Sequence, residues 1–142
     1  MLVLRVSIDN ILENAWHFNH TKLVEWQVEF HDDFESEFDA LPQEVKNELL
    51  ATAQVLEMFS PQAKRPHVDT LKGSKYGNMK ELRFSAFGGV WRVAFAFDPL
   101  RQAILLVAGD KSGVSERLFY KHLIQKADAR YKTHLKKLKE EG

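Results

Sequence analysis

The chain has no cysteine among its 142 residues. That absence excludes a disulfide framework and a thiolate zinc site, and it suits a reducing cytoplasm. No apolar run approaches the roughly 18 residues that a membrane-spanning helix needs, so no membrane partner is expected. Arg5 and Asp9 interrupt the first apolar residues, which therefore do not read as a secretory leader. Also missing are GxSxG, the P-loop pattern and GxGxxG, the usual signatures of nucleophile elbows and nucleotide phosphate loops. The six histidines show no HxxxH or HxH spacing with a carboxylate, and neither a metal site nor a cofactor is expected. Low-complexity tracts and internal repeats are absent as well.

What is present is the length of one domain, enough to bury about two-thirds of the unfolded surface. Formal net charge is zero, but the charges are segregated. Residues 1–63 hold three Lys or Arg against twelve Asp or Glu, a balance of −9; the rest holds seventeen against eight, a balance of +9. Such polarity suits a second half that faces a polyanion or an acidic partner. It suits equally two halves that attract each other within the fold.

Leu2, Leu4, Val6 and Ile8 alternate as in a short strand, and 11–18 permits a helical turn docked by Trp16 and Phe18. Residues 1–24 are expected to be an N-terminal extension to a domain over 25–142. Trp26, Val28 and Phe30 alternate with polar residues as a strand does. Asp32 or Asp33 then caps a helix with Phe34, Phe38 and Leu41 on one side. Pro42 opens a second helix whose stripe is Val45, Leu49, Ala53, Leu56 and Phe59, stopped by Ser60-Pro61. A basic, irregular connector follows over 63–77, with Lys64, Arg65, His67, Lys72 and Lys75. Three strands come next, 79–84, 91–98 and 104–111, separated by Gly88-Gly89 and Asp98-Pro99. Ser115 caps a basic C-terminal helix to about Glu141, its broken stripe running through Leu118, His122, Ile124 or Gln125, Ala129, Leu135 and Leu138.

Phase within two strands isolates two arginines. Leu82, Phe84 and Ala86 share one face, which leaves Glu81, Arg83 and Ser85 on the other. Trp91, Val93, Phe95 and Phe97 likewise leave Arg92 opposite, beside Ala94 and Ala96. Neighbouring strands therefore offer one arginine each on a sparsely filled face. Glu81 is a ready alternative partner for Arg83.

This order of elements, with Leu71-Lys72-Gly73, Glu81-Leu82-Arg83, Trp91-Arg92-Val93 and Asp110-Lys111, resembles the RelE/HigB superfamily of type II toxins, in its phage-derived HigB-like branch. The resemblance covers about residues 25–130. It implies an α+β fold: an antiparallel β-sheet meander packed against an N-terminal helical hairpin, with a C-terminal helix. It also implies a cytoplasmic, ribosome-dependent mRNA endonuclease that blocks translation. The expected partners are mRNA on the ribosome and a small cognate antitoxin of the helix-turn-helix kind, through which alone operator DNA is reached.

Metal-free RNA cleavage lets the ribose 2′-hydroxyl attack the adjacent phosphate. Arginines on a rigid sheet hold that phosphate and stabilise its growing charge. The resemblance assigns this work to Arg83, Arg92 and Lys111, with Lys72 from the loop. His67, whose ordinary pKa lies near neutrality, is an acid/base candidate; with Lys75 and Lys80 it is also a candidate RNA contact. Two other classes stay open. One is a same-fold toxin that binds a protein such as DNA gyrase; the other is a catalytically silent antitoxin-binding module.

Overall fold

The computed structural model describes residues 26–59 and 62–142. The expected N-terminal strand, the helical turn and the domain boundary after residue 24 lie outside the described residues. In order the elements are β1 (Gln27–Phe30), α1 (Asp32–Asp39), α2 (Gln43–Phe59), β2 (Val68–Thr70), β3 (Met79–Ala86), β4 (Gly89–Phe97), β5 (Gln102–Asp110) and α3 (Glu116–Glu141). They form one five-stranded sheet in the order β1-β5-β4-β3-β2. The fold is α+β, as expected: a helical hairpin, a three-stranded meander and a C-terminal helix.

Two strands refine it. β1 runs parallel to β5, from Gln27 opposite Gln102 to Phe30 opposite Leu105, so the sheet is mixed. The α1–α2 hairpin carries the chain from this edge to the far one, where β2 joins β3. β2 lies in the connector over 63–77, whose sequence pattern predicts no regular element, and it pairs Val68, Asp69 and Thr70 with Leu82, Glu81 and Lys80. Three residues are too few for a periodicity; the free edge of β3 supplies the order.

Both faces of the sheet are covered. On one, Phe34, Phe38, Leu49 and Leu56 of the hairpin pack on Val28, Phe30, Leu82, Val93, Phe95 and Leu105. On the other, Phe119, Leu123, Ala127 and Tyr131 of α3 pack on Met79, Ala94, Ala96, Ile104 and Leu106. Each fully buried large apolar side chain contributes about 1.5–3 kcal/mol. The space beside Ala94 and Ala96, expected to admit a ligand, is occupied by α3. Small side chains there let a helix lie close to the sheet.

The α3 stripe also differs in phase. Its buried residues are Phe119, Leu123, Ala127, Tyr131 and His134, whereas Leu118 is 49% exposed. Two of the five carry polar groups, which a search for apolar residues passes over. Their polar ends are satisfied. Tyr131 Oη donates to Phe97 O at 3.3 Å, and His134 Nε2 lies 2.8 Å from Asp98 Oδ2. Asp98 Oδ1 meanwhile accepts from Leu100 N and Gln102 N, both at 2.9 Å, and so shapes the β4–β5 turn.

A bulge in β5 sets its two halves in register with α3. Ala94 pairs with Val107 but Phe95 with Leu105, so Leu106 is the extra residue. Leu106 and Val107 then both lie in the cluster under α3. The Leu106 carbonyl accepts from Arg130 Nη1 at 2.7 Å, and the same guanidinium grips both carboxylate oxygens of Glu37 on α1. This pair, together with Lys137 and Asp32 at 3.4 Å, joins the basic helix to the acidic hairpin.

The cap of α1 is His31, one residue before the expected aspartates; its Nδ1 accepts from Asp33 N at 3.1 Å. Burial pulls the His31 pKa below its ordinary value, against the opposing pull of Asp33. The neutral ring therefore contributes fully above the unfolded pKa of about 6.5, and that contribution is lost as pH falls through the folded value. The urea midpoint is expected to drop between about pH 7 and about pH 5, and His31→Asn, a cap that does not titrate, should flatten this window; an unchanged slope would locate the titration elsewhere. Asp98→Ala, which strips a partner from His134 and two backbone amides, is expected to cost about 3 kcal/mol in chemical denaturation. A loss under about 1 kcal/mol would mean that water replaces the carboxylate at no penalty.

Candidate anion-binding cleft

Pleating of β3 turns Met79, Glu81 and Arg83 toward α3 and Lys80, Leu82 and Phe84 toward the hairpin. Arg83 then lies directly opposite Arg92 of β4. Like charges in that position repel. Glu81, only 4% exposed, offsets the repulsion. Its Oε2 accepts from Arg83 Nη1 at 2.9 Å, and its Oε1 lies 3.7 Å from Arg92 Nε. Tyr120, in the second turn of α3, donates its hydroxyl to Glu81 Oε1 at 2.8 Å and accepts from Arg92 Nε at 3.2 Å. Burial, then the Glu81 carboxylate, raises the Tyr120 pKa above its ordinary value, so the phenol keeps its proton at neutral pH.

Above this buried network opens a cleft of about 270 Å³. Its floor is Glu81, Arg83 and Tyr120. One wall is Arg65, Asp69, Thr70, Leu71 and Lys72, and the other is Lys111 and Glu116. Two exposed pairs sit on the rims: Arg65 with Asp69 at 2.8 Å, and Lys111 with Glu116 at 2.8 Å. The guanidinium holds the Asp69 carboxyl below its usual range, and the ammonium does the same for Glu116. Lys111 Nζ also stands 5.8 Å from the centre of the Tyr120 ring.

Four cations thus line the cleft against three carboxylates. Solvent-exposed pairs of this kind are worth little, so an incoming anion displaces Asp69 or Glu116 cheaply. Glu81 is different. Buried between two guanidinium groups, it stays where it is and aims Arg83 into the opening.

Of the residues expected from sequence, Lys72, Arg83 and Lys111 meet in this cleft. Arg92 does not reach it: 6% exposed, it lies beneath Tyr120 and donates to Trp91 O at 2.9 Å. The covering helix accounts for the difference. His67 is exposed and gives its carbonyl to Arg83 N at 2.8 Å, outside the lining. Lys75 is exposed further along the Lys72 loop, outside the lining, where its backbone N–H donates to Asp128. Lys80 lies on the hairpin side of the sheet, its Nζ 3.4 Å from Thr70 Oγ1. The sequence reading missed Tyr120 as a participant; the one signal was an aromatic pair, Phe119-Tyr120, just after a capping serine. A larger hollow of about 430 Å³ lies at the other end of α3, but its charged groups are only Lys139 and Glu141. Among the described residues, no helix is long and apolar enough to cross a membrane.

Comparison with known proteins adds a lineage to this geometry. A family model described as "Phage derived protein Gp49-like (DUF891)" matches residues 36–132, a stretch that contains the whole cleft. "Putative toxin HigB2" of Mycobacterium tuberculosis is 42% identical over 98 residues, covering 68% of this chain and 48% of that protein. "Putative toxin HigB3" of the same organism is 44% identical over 93 residues, covering 66% of this chain and 79% of its own. The chain therefore spans about half the length of the first relative and about four-fifths of the second. No solved structure matches at a significant level. With most of its length matched and this identity to HigB-named relatives, the chain belongs to the phage-derived Gp49-like family, among its HigB-like members.

Proposed function

We propose that this protein is the toxin of a type II toxin–antitoxin system and acts as a metal-independent endoribonuclease on mRNA engaged by the ribosome. The observation that carries the reading is the convergence of Arg83, Lys72 and Lys111 on one small cleft. Arg83 and the lysines bind a phosphate and stabilise the charge that develops on its oxygens as the 2′-hydroxyl attacks. A cleft lysine donates the proton that the departing 5′-oxygen needs, and the 2′-hydroxyl proton passes to water or to the Glu116 carboxylate at the rim. Arg92 does not touch the phosphate in this scheme; it positions Tyr120 and Glu81. The acidic hairpin supports the same reading. Its eight carboxylates against one lysine, over residues 32–57, belong to the helices on the opposite side of the sheet from α3. Phosphate attraction then acts on the cleft side, which a chain of zero net charge would otherwise lack.

A cognate antitoxin is the expected protein partner, and the cytoplasm, where ribosomes are, is the expected compartment. One observation favours a second reading. Three carboxylates inside the cleft already neutralise most of its cations, as befits a surface that binds protein rather than cutting RNA. A toxin directed at a protein such as DNA gyrase fits that arrangement.

Controlled expression with 5′-end mapping of cellular mRNA separates the two. Wild type is expected to arrest growth with cuts inside translated codons. Arg83→Ala should lose at least a hundredfold of that cleavage while keeping its fold, since Glu81 retains Arg92 and Tyr120. Arrest with intact mRNA would transfer the assignment to a protein target, and no arrest would leave a binding module.

A further inference from the structure

We infer that Phe87, at the tip of the β3–β4 hairpin, is a stacking platform for an unpaired RNA base lying beside the cleft. The inference rests on the endoribonuclease reading and extends it to a residue outside the phosphate-binding set. Ala86 pairs with Gly89, so the loop is two residues, Phe87 and Gly88. Both have positive φ, 51° and 75°, as a type I′ hairpin turn requires. Asn, Asp and Gly suit the first of these positions, and a bulky side chain there is strained. Phe87 is also 69% exposed, more than any other large apolar side chain described. The residue therefore strains the turn and adds nothing to the core. A strained outlier of this sort points to a use outside the fold.

Placement says which use. The hairpin is built from the strands that carry Arg83 and Arg92, and Lys111 N donates to Val90 O at 2.8 Å near its tip. By strand rise, Phe87 is about 14 Å from Arg83 along β3. A stacked nucleic-acid strand advances about 3.4 Å per nucleotide or somewhat less, so with a phosphate on Arg83 and Lys111 a base a few nucleotides away comes within reach of the ring. Ser85, Gly88 and Asp110 beside it are exposed and small or polar, while the aromatic side chains further down the hairpin, Phe84 and Trp91, are half-buried and stacked on each other at 6.5 Å. A protein-docking surface needs a contiguous apolar patch around its anchor. A protruding ring within a few nucleotides of a cation-lined cleft is what single-stranded nucleic acid uses, because every base has a π-face.

Two substitutions test this with a single-stranded RNA dodecamer carrying 2-aminopurine at successive positions. Phe87→Asn supplies a residue at home at positive φ and removes the ring; Phe87→Trp keeps an aromatic surface. Wild type is expected to quench 2-aminopurine at one or two positions. Phe87→Asn should lose the quenching and bind about tenfold more weakly, with an unchanged or higher thermal midpoint, and Phe87→Trp should restore binding. Absence of quenching in wild type, or equal affinity in Phe87→Asn, overturns the inference. So does a lower midpoint in Phe87→Asn, which would make the ring a structural element. Loss of toxicity in Phe87→Asn at unchanged RNA affinity would assign the ring to a protein contact and overturn it too. The two readings fail separately. Cleavage that depends on Arg83 without quenching at Phe87 removes only this inference. Quenching without cleavage removes the endoribonuclease and leaves an RNA contact.

Discussion

A buried carboxylate held between two arginines governs the cleft side of this molecule. Glu81 touches both charged strands and, through Tyr120, the helix that covers them. A buried ion network is weak evidence for stability, because the cost of desolvation cancels much of the attraction. Its effect here is geometric. Arg83 opposite Arg92 tolerates only a narrow set of arrangements, and Glu81 with Tyr120 selects the one in which Arg83 faces out and Arg92 faces in. The cleft follows from that division.

α3 decides where the cleft can be. Ala94, Ala96 and Gly109 let the helix lie close; a Cβ on Gly109 would come within 2.8 Å of the Phe119 ring. His134 on Asp98 fixes the C-terminal half of the helix, and Arg130 on Glu37 and Leu106 O fixes its middle. Only the first turns, with Glu116 and Tyr120, stand over the polar end of the sheet. The polar, cation-lined opening therefore lies between that helix start, the β2 edge and the Lys72 loop.

The charge polarity seen along the chain is used within the fold. Glu37–Arg130 and Asp32–Lys137 are attraction between the two halves, realised as contacts. The remaining acidic residues of the hairpin stay on the other side of the sheet from α3. Neutral overall composition thus hides a molecule whose cleft side has its cations paired loosely at the rim and firmly at the floor.

What the sequence determined by itself was what depends on near neighbours. The two helices before the sheet, the β3–β4–β5 meander, the Asp98-Pro99 turn, the Ser115 cap and the phase of Arg83 and Arg92 all follow from periodicity and capping within a few residues. The turn at Gly88-Gly89 was legible only in part: the loop is Phe87-Gly88, and Gly89 is the first residue of β4, where a Cβ would meet the Asp110 carboxylate at 2.6 Å. Of the candidate cleft, the resemblance named Lys72, Arg83 and Lys111, but not the Tyr120 that completes its floor. Which arginine faces solvent, which stripe of α3 is buried and whether the alanine face is open were decided by tertiary structure. Tyr120 meets Glu81 across 39 residues and Arg92 across 28. Side chains so far apart in the chain are joined only once a helix has settled on a sheet, and no local pattern encodes where it settles.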